Sequence, residues 1–258
     1  MPYANHRGTR IHFEIEGEGP PLVLQHGFTG NLRRWYRFGY VDALKAHYRL
    51  ILVDARGHGA SDKPHDPSAY ALPLRVGDVL AVLDALDVDK THYWGYSMGG
   101  WIGFGLAKHA ASRVEALVIG GAHPYEQRLP ASSRLDGSDP EAFLAALFGR
   151  LQVDATTMPA ELREELLKND FQALAAAQQD RVSMEDTLPT MTMPCCLYAG
   201  DADPLYAKAK VCAQHIPQAT FFAMAGLDHG AAFREAGLAL PQVTKFLRTV
   251  TERIGVIE

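Results

Sequence analysis

His92-Tyr93-Trp94-Gly95-Tyr96-Ser97-Met98-Gly99-Gly100 is the stretch on which the fold turns. A short run of strand-forming residues enters Gly-x-Ser-x-Gly, and Met98 to Ala107 then reads as a helix. Strand, sharp turn and helix form a nucleophile elbow, in which a strained turn lifts a serine hydroxyl above a sheet. The glycines two before and two after the serine have a steric cause. A side chain at either place would collide with the neighbouring strand and helix. The helix N-terminus behind the serine also favours negative charge beside it.

Working outward, the other strands fall into two kinds. Arg10 to Glu16 alternates Ile11, Phe13 and Ile15 against polar neighbours, the period of a strand with one wet face at a sheet edge. Leu22-Val23-Leu24-Gln25, Leu50-Ile51-Leu52-Val53, Ala116-Leu117-Val118-Ile119 and Cys195-Cys196-Leu197-Tyr198 are continuous apolar runs. Such runs suit strands buried on both faces of a parallel sheet. Between them, Val76, Val79, Leu80, Leu83 and Leu86 predict an amphipathic helix over 75–87. Near the end, Val243, Phe246, Leu247, Val250 and Ile254 share a helical face, with Pro241 placed for a helix start. The alternation predicts an α/β fold with a doubly wound, mostly parallel sheet.

Residues 123–190 break the rhythm. They hold no convincing strand but include helical stretches at Glu141 to Leu151 and Ala160 to Gln178. They are expected to be a helical cap inserted after the strand near 114–119, with 1–122 and 191–258 forming the core. Four of the seven methionines, Met158, Met184, Met191 and Met193, are in or just beyond this segment. Core filling explains them better than an adaptable pocket does.

Composition excludes more than it assigns. The chain has 258 residues, 25 Lys+Arg and 30 Asp+Glu, for a net charge of −5. Mild acidity argues against nucleic acid or an anionic membrane surface as partner. Cys195, Cys196 and Cys212 cannot form a disulfide framework and are expected as buried thiols. No apolar run is long enough to span a membrane, and Met1 to Arg7 lacks a signal-peptide core, so a cytoplasmic protein is expected.

Three further motifs stand at strand ends. Gln25-His26-Gly27-Phe28 closes an apolar run, Gly200-Asp201-Ala202-Asp203-Pro204 follows another, and Gly226-Leu227-Asp228-His229-Gly230 follows Phe221 to Met224. With the elbow, these resemble the α/β-hydrolase fold family, in its serine esterase and lactonase-like members, from about residue 10 to 250. The order serine, acid, histidine is that family's. The resemblance implies a triad of Ser97, Asp203 and His229, with Asp201 as the alternative acid. It implies an oxyanion hole from the backbone N–H groups of Phe28 and Met98. His26 is read as a turn histidine that orders its loop, and Asp228 is not taken as the orienting acid. Asp54-Ala55-Arg56-Gly57-His58-Gly59-Ala60-Ser61 matches a stretch whose role in the family is structural.

The implied activity is hydrolysis of a small carboxylic ester or lactone through an acyl-enzyme on Ser97. No cofactor and no metal are expected: phosphate-binding glycine loops and zinc-binding histidine pairs are missing from the sequence. Carbon–carbon bond hydrolysis of ring-cleavage products and a hydrolase-like receptor with little turnover are the alternatives. Perhydrolysis is a lesser variant of the same chemistry. Trp35, Tyr36, Tyr96, His123, Phe143 and Phe148 could reach the site, most of them as packing residues.

Overall fold

The apolar runs become inner strands because both of their faces are covered. A computed structural model describes residues 2–129 and 134–254; residues 130–133 of the expected cap lie outside that range. The strands are β1 (Tyr3–His6), β2 (Thr9–Glu16), β3 (Pro21–Gln25), β4 (Arg49–Val53), β5 (Thr91–Tyr96), β6 (Val114–Gly120), β7 (Cys195–Gly200) and β8 (Ala219–Met224). They form one sheet of order β1-β2-β4-β3-β5-β6-β7-β8, parallel from β4 to β8 and antiparallel at β1 and β2. Along β3 and β4, Val23, Ile51 and Val53 join one apolar core, while Leu22, Leu24, Leu50 and Leu52 join the other.

Helices cover the two faces. α1 (Arg33–Arg37), α2 (Tyr40–Leu44), α3 (Leu72–Ala85) and α4 (Met98–His109) precede β6; α8 (Tyr206–Gln214), α9 (Ala231–Arg234) and α10 (Ala236–Ile254) follow β7. Between β6 and β7 lie α5 (Pro140–Leu151), α6 (Ala160–Leu167) and α7 (Phe171–Ala177). Phe143, Leu144, Leu166, Phe171 and Leu174 from these three form a small core of their own, against which Phe28 packs. Cys195, Cys196 and Cys212 are free and buried. Among the described residues no helix is long and apolar enough to cross a membrane.

Three expectations need correction. β2 is not the edge: β1 takes that place through His6↔Thr9 to Tyr3↔His12, and His12 is buried beside Ile11 and Phe13. The polar stretch at residues 3–6 hid this strand, since only Ala4 of the four is buried. The stretch expected as one helix to Gln178 is two. Asp170 caps α7 by accepting the Ala173 N–H at 2.9 Å, and Asn169 turns to the Thr29 and Leu166 carbonyls. Finally, α10 begins at Ala236, so Pro241 lies inside it rather than at its start.

Candidate active site

Parallel register brings the relevant strand ends to one edge of the sheet. Gln25 pairs with Gly95, Tyr96 with Gly120, Gly120 with Tyr198, and Gly200 with Met224. The loops that leave these ends therefore converge, as expected at the carboxyl edge of such a sheet. Ser97 caps α4 at φ 54°, ψ −109°, left-handed backbone that a non-glycine residue adopts at a cost. Its N–H donates to the Gly120 carbonyl at 2.8 Å, tying the turn to β6. The elbow glycines are forced by close approach. A Cβ on Gly95 would lie 2.3 Å from the Gly99 backbone, and one on Gly99 2.2 Å from the Gln25 carbonyl oxygen.

The structure brings Ser97, His229 and Asp203 together. The Ser97 hydroxyl is 2.9 Å from His229 Nε2, and His229 Nδ1 is 2.6 Å from Asp203 Oδ2. A carboxylate only accepts, so Nδ1 carries the hydrogen and Nε2 is free to accept the serine proton. Asp203 and His229 are both buried. The second Asp203 oxygen accepts the Leu205 N–H at 2.8 Å, and the Tyr96 hydroxyl donates to the His229 carbonyl at 2.6 Å. Each partner is thus held from behind.

The competing carboxylates are occupied elsewhere. Asp201 is exposed and accepts the Gly226 N–H at 2.6 Å. Asp228 caps the start of α9 by accepting the Ala231 N–H at 2.6 Å. His26 is fully buried; its Nδ1–H donates to the Gly27 carbonyl at 2.8 Å and its Nε2 accepts the Ala55 N–H at 3.1 Å. Burial lowers its pKa, and that bonding pattern requires the neutral ring. It orders the loop that carries Phe28. Burial opposes the Asp54 charge, but hydrogen bonds from His12, Ala60 and Leu32 hold its pKa below the usual carboxylate range. Asp54 and Ser61 pin the Asp54 to Ser61 loop to β2 and α1.

The N–H groups of Phe28 and Met98 have no protein acceptor among the described residues. Gly27 approaches Ser97 closely, since a Cβ there would lie 3.2 Å from the serine Cβ. Both amides therefore border the space in front of the hydroxyl. A cavity of about 90 Å³ opens there, lined by Ser97, His229, Phe28 and Tyr96 together with Leu147, Phe148, Leu151, Val153, Met158, Leu162 and Leu166. The last seven belong to the segment between β6 and β7. Of the aromatic candidates, Tyr96 and Phe148 line this cavity. Trp35 packs against Tyr40, Trp94 and Phe233, Tyr36 binds Glu14 and Glu16, and Phe143 lies in the small helical core. His123 is buried against Tyr125.

Arg34 and Arg234, which also line the cavity, escaped the reading of the sequence. So did Arg75, although an arginine beside Val76 and Val79 on an apolar helical face is a signal in itself.

An eight-stranded mostly parallel sheet, helices on both faces and a serine elbow at the carboxyl edge define a hydrolase fold, and the chain belongs to the α/β-hydrolase fold family, which matches residues 20–233. Among solved structures it is similar to the enol-lactonase of Burkholderia xenovorans LB400, with a TM-score of 0.84 and 25% identity over 96% of this chain and 100% of that one. An esterase of Rhodococcus sp. ECU1013 gives 0.82 and 27%, over 96% and 98%. Among curated proteins, the cis-3-alkyl-4-alkyloxetan-2-one decarboxylase of Shewanella oneidensis is 36% identical over 129 residues, 46% of this chain and 39% of that protein. The first such relatives are matched over only 28 to 43% of their own length.

Proposed function

We propose that the protein is a serine hydrolase that cleaves a small carboxylic ester or lactone through an acyl-enzyme. The observation that carries this reading is the relay from buried Asp203 through His229 to the strained Ser97 hydroxyl. Likeness over full length to an enol-lactonase and an esterase supports the substrate class.

Ser97 Oγ attacks the acyl carbon while its proton passes to His229 Nε2; Asp203 holds the imidazole in the required tautomer and stabilises the imidazolium. The Phe28 and Met98 amides receive the negative charge that develops on the carbonyl oxygen, each worth about 2.7–4 kcal/mol in the transition state. His229 returns the proton to the leaving oxygen. Water then enters, activated by the same imidazole, and releases the acid. Residues 123–190 act as a cap, supplying the apolar wall over the acyl group.

Ser97→Ala tests the proposal. It is expected to lower kcat for a short-chain p-nitrophenyl ester by about 10³-fold or more while circular dichroism stays that of the parent. Undiminished turnover in that variant would remove the serine from the mechanism.

A further inference from the structure

The space in front of Ser97 has a second lobe, of about 150 Å³, which shares Phe28, Ser97, Leu147 and Leu151 with the first. Its character is different. Arg75, Arg150 and Arg181 line it, with Met98, Trp101 and Gln178, and among the described residues no carboxylate does.

Two of these guanidiniums converge on one ring. Arg181 lies 4.7 Å from the Trp101 centroid and Arg75 5.8 Å from it. Trp101 in turn stands one helical turn beyond the serine, its N–H donating to the Ser97 carbonyl at 2.9 Å. Arg75 is buried and serves as a tie: Nε–H donates to the Tyr70 carbonyl at 2.8 Å and Nη2–H to the Ala177 carbonyl at 2.9 Å. Arg181 is different. Its backbone is fixed by paired hydrogen bonds with Gln127, at 2.9 and 2.8 Å, but among the described residues its side-chain N–H groups meet no acceptor. A π face offsets charge without offering a lone pair to donors in the guanidinium plane.

Nearby carboxylates do not fill the gap. Asp180 turns to the Leu129 N–H and to Arg134. Asp78 is taken by Arg56 and His6. Burial lowers the pKa of Arg75 to about 9, with Arg181 adding repulsion, and burial lowers that of Arg181 to about 10. Both stay charged at neutral pH and repel each other. Arg34 in the first lobe, by contrast, faces Glu165 at 3.9 Å and donates to the Thr29 carbonyl.

We propose that the second lobe binds a carboxylate carried by the substrate, and that Arg181 is the residue that selects for it. The substrate class is then an ester or lactone bearing a free carboxylate, with the reacting carbonyl at Ser97 and the anion against Arg181. A planar guanidinium with free in-plane donors matches a carboxylate in bidentate fashion. An arriving anion also relieves the repulsion between Arg75 and Arg181. This inference rests on the hydrolase reading above.

The test compares anionic and neutral pairs: mono-p-nitrophenyl adipate with p-nitrophenyl hexanoate, which places the carboxylate on the acyl side, and para-carboxyphenyl with para-acetylphenyl hexanoate, which places it on the leaving group. In one pair at least, Arg181→Gln is expected to cut the anionic-over-neutral ratio of kcat/KM by about tenfold or more, and Arg181→Lys by less. A ratio unmoved by Arg181→Gln in both pairs overturns the proposal. Calorimetric binding of both pairs to Ser97→Ala protein reads the same lobe without turnover. Preferential binding of the adipate, or of para-carboxyphenyl over para-acetylphenyl hexanoate, that is lost on adding Arg181→Gln supports it, and equal binding within both pairs counts against it. Absence of Ser97-dependent turnover, with Arg181-dependent binding retained, sinks the hydrolase reading alone.

Discussion

Ser97 is held in a conformation that its own Cβ disfavours, and the surrounding turn must supply the energy to keep it there. Two substitutions separate this strain from the hydroxyl's own contact. Ser97→Ala and Ser97→Gly both lose the hydrogen bond to His229, but only glycine relaxes at positive φ. Ser97→Gly is expected to unfold at higher urea than Ser97→Ala, by about 1 kcal/mol. Equal stabilities would mean the turn is unstrained. The acid is tested at the same scale. Asp203→Asn leaves Nδ1 facing an amide and favours the wrong tautomer, so kcat is expected to fall by about 10³–10⁴-fold. Asp201→Asn, at an exposed carboxylate that only closes a turn, is expected to stay within about threefold. Ser97, Asp203 and His229 were legible because each is flanked by glycines or strand ends that constrain it. Arg181 was not: nothing in Asp180-Arg181-Val182 hints that its donors lack a partner.

At the scale of elements, continuous apolar runs mark the inner strands β3, β4, β6 and β7, because a strand covered on both faces favours apolar residues, whereas the equally buried β5 carries Thr91 and His92. Two elements escape that rule. β1 buries one side chain in four, so its sequence carries no apolar run to mark it. Pro241 was read as a helix start, yet α10 runs through it from Ala236, leaving the Gly237 carbonyl without its usual donor. The apolar face of α10, with Ala239, Val243, Leu247 and Val250 buried, outweighs that loss. Pro241→Ala is therefore expected to raise the thermal midpoint, by the equivalent of about 1 kcal/mol or more. An unchanged or lower midpoint would show that the ring is needed where it stands.

For the whole molecule, the charge of −5 says little, but its buried histidines couple stability to pH. Burial pushes His92 and His123 down to about 4, and lowers His26 and His58 as well. Unfolded histidine titrates near pH ~6.5. Below that value the unfolded chain takes up protons that the folded one refuses, so stability falls as pH drops from about 6.5 toward about 4. At pH ~5, His92 and His123 each cost on the order of 2 kcal/mol. Urea midpoints at pH 7 and pH 5 should differ accordingly, and His92→Gln should recover part of the difference. A flat profile between those two values would contradict the burial argument.

The segment between β6 and β7 leaves and rejoins the sheet on adjacent parallel strands, with Gly120 paired to Tyr198. Its two ends are pinned to neighbouring strands of the sheet. Closing such an excursion grows dearer only logarithmically, by about 0.6 kcal/mol for each doubling of its length. A change in the length of this segment therefore costs little in closure, and it reshapes the wall of the cavity in front of Ser97 while the strand ends beside Ser97, Asp203 and His229 keep their register.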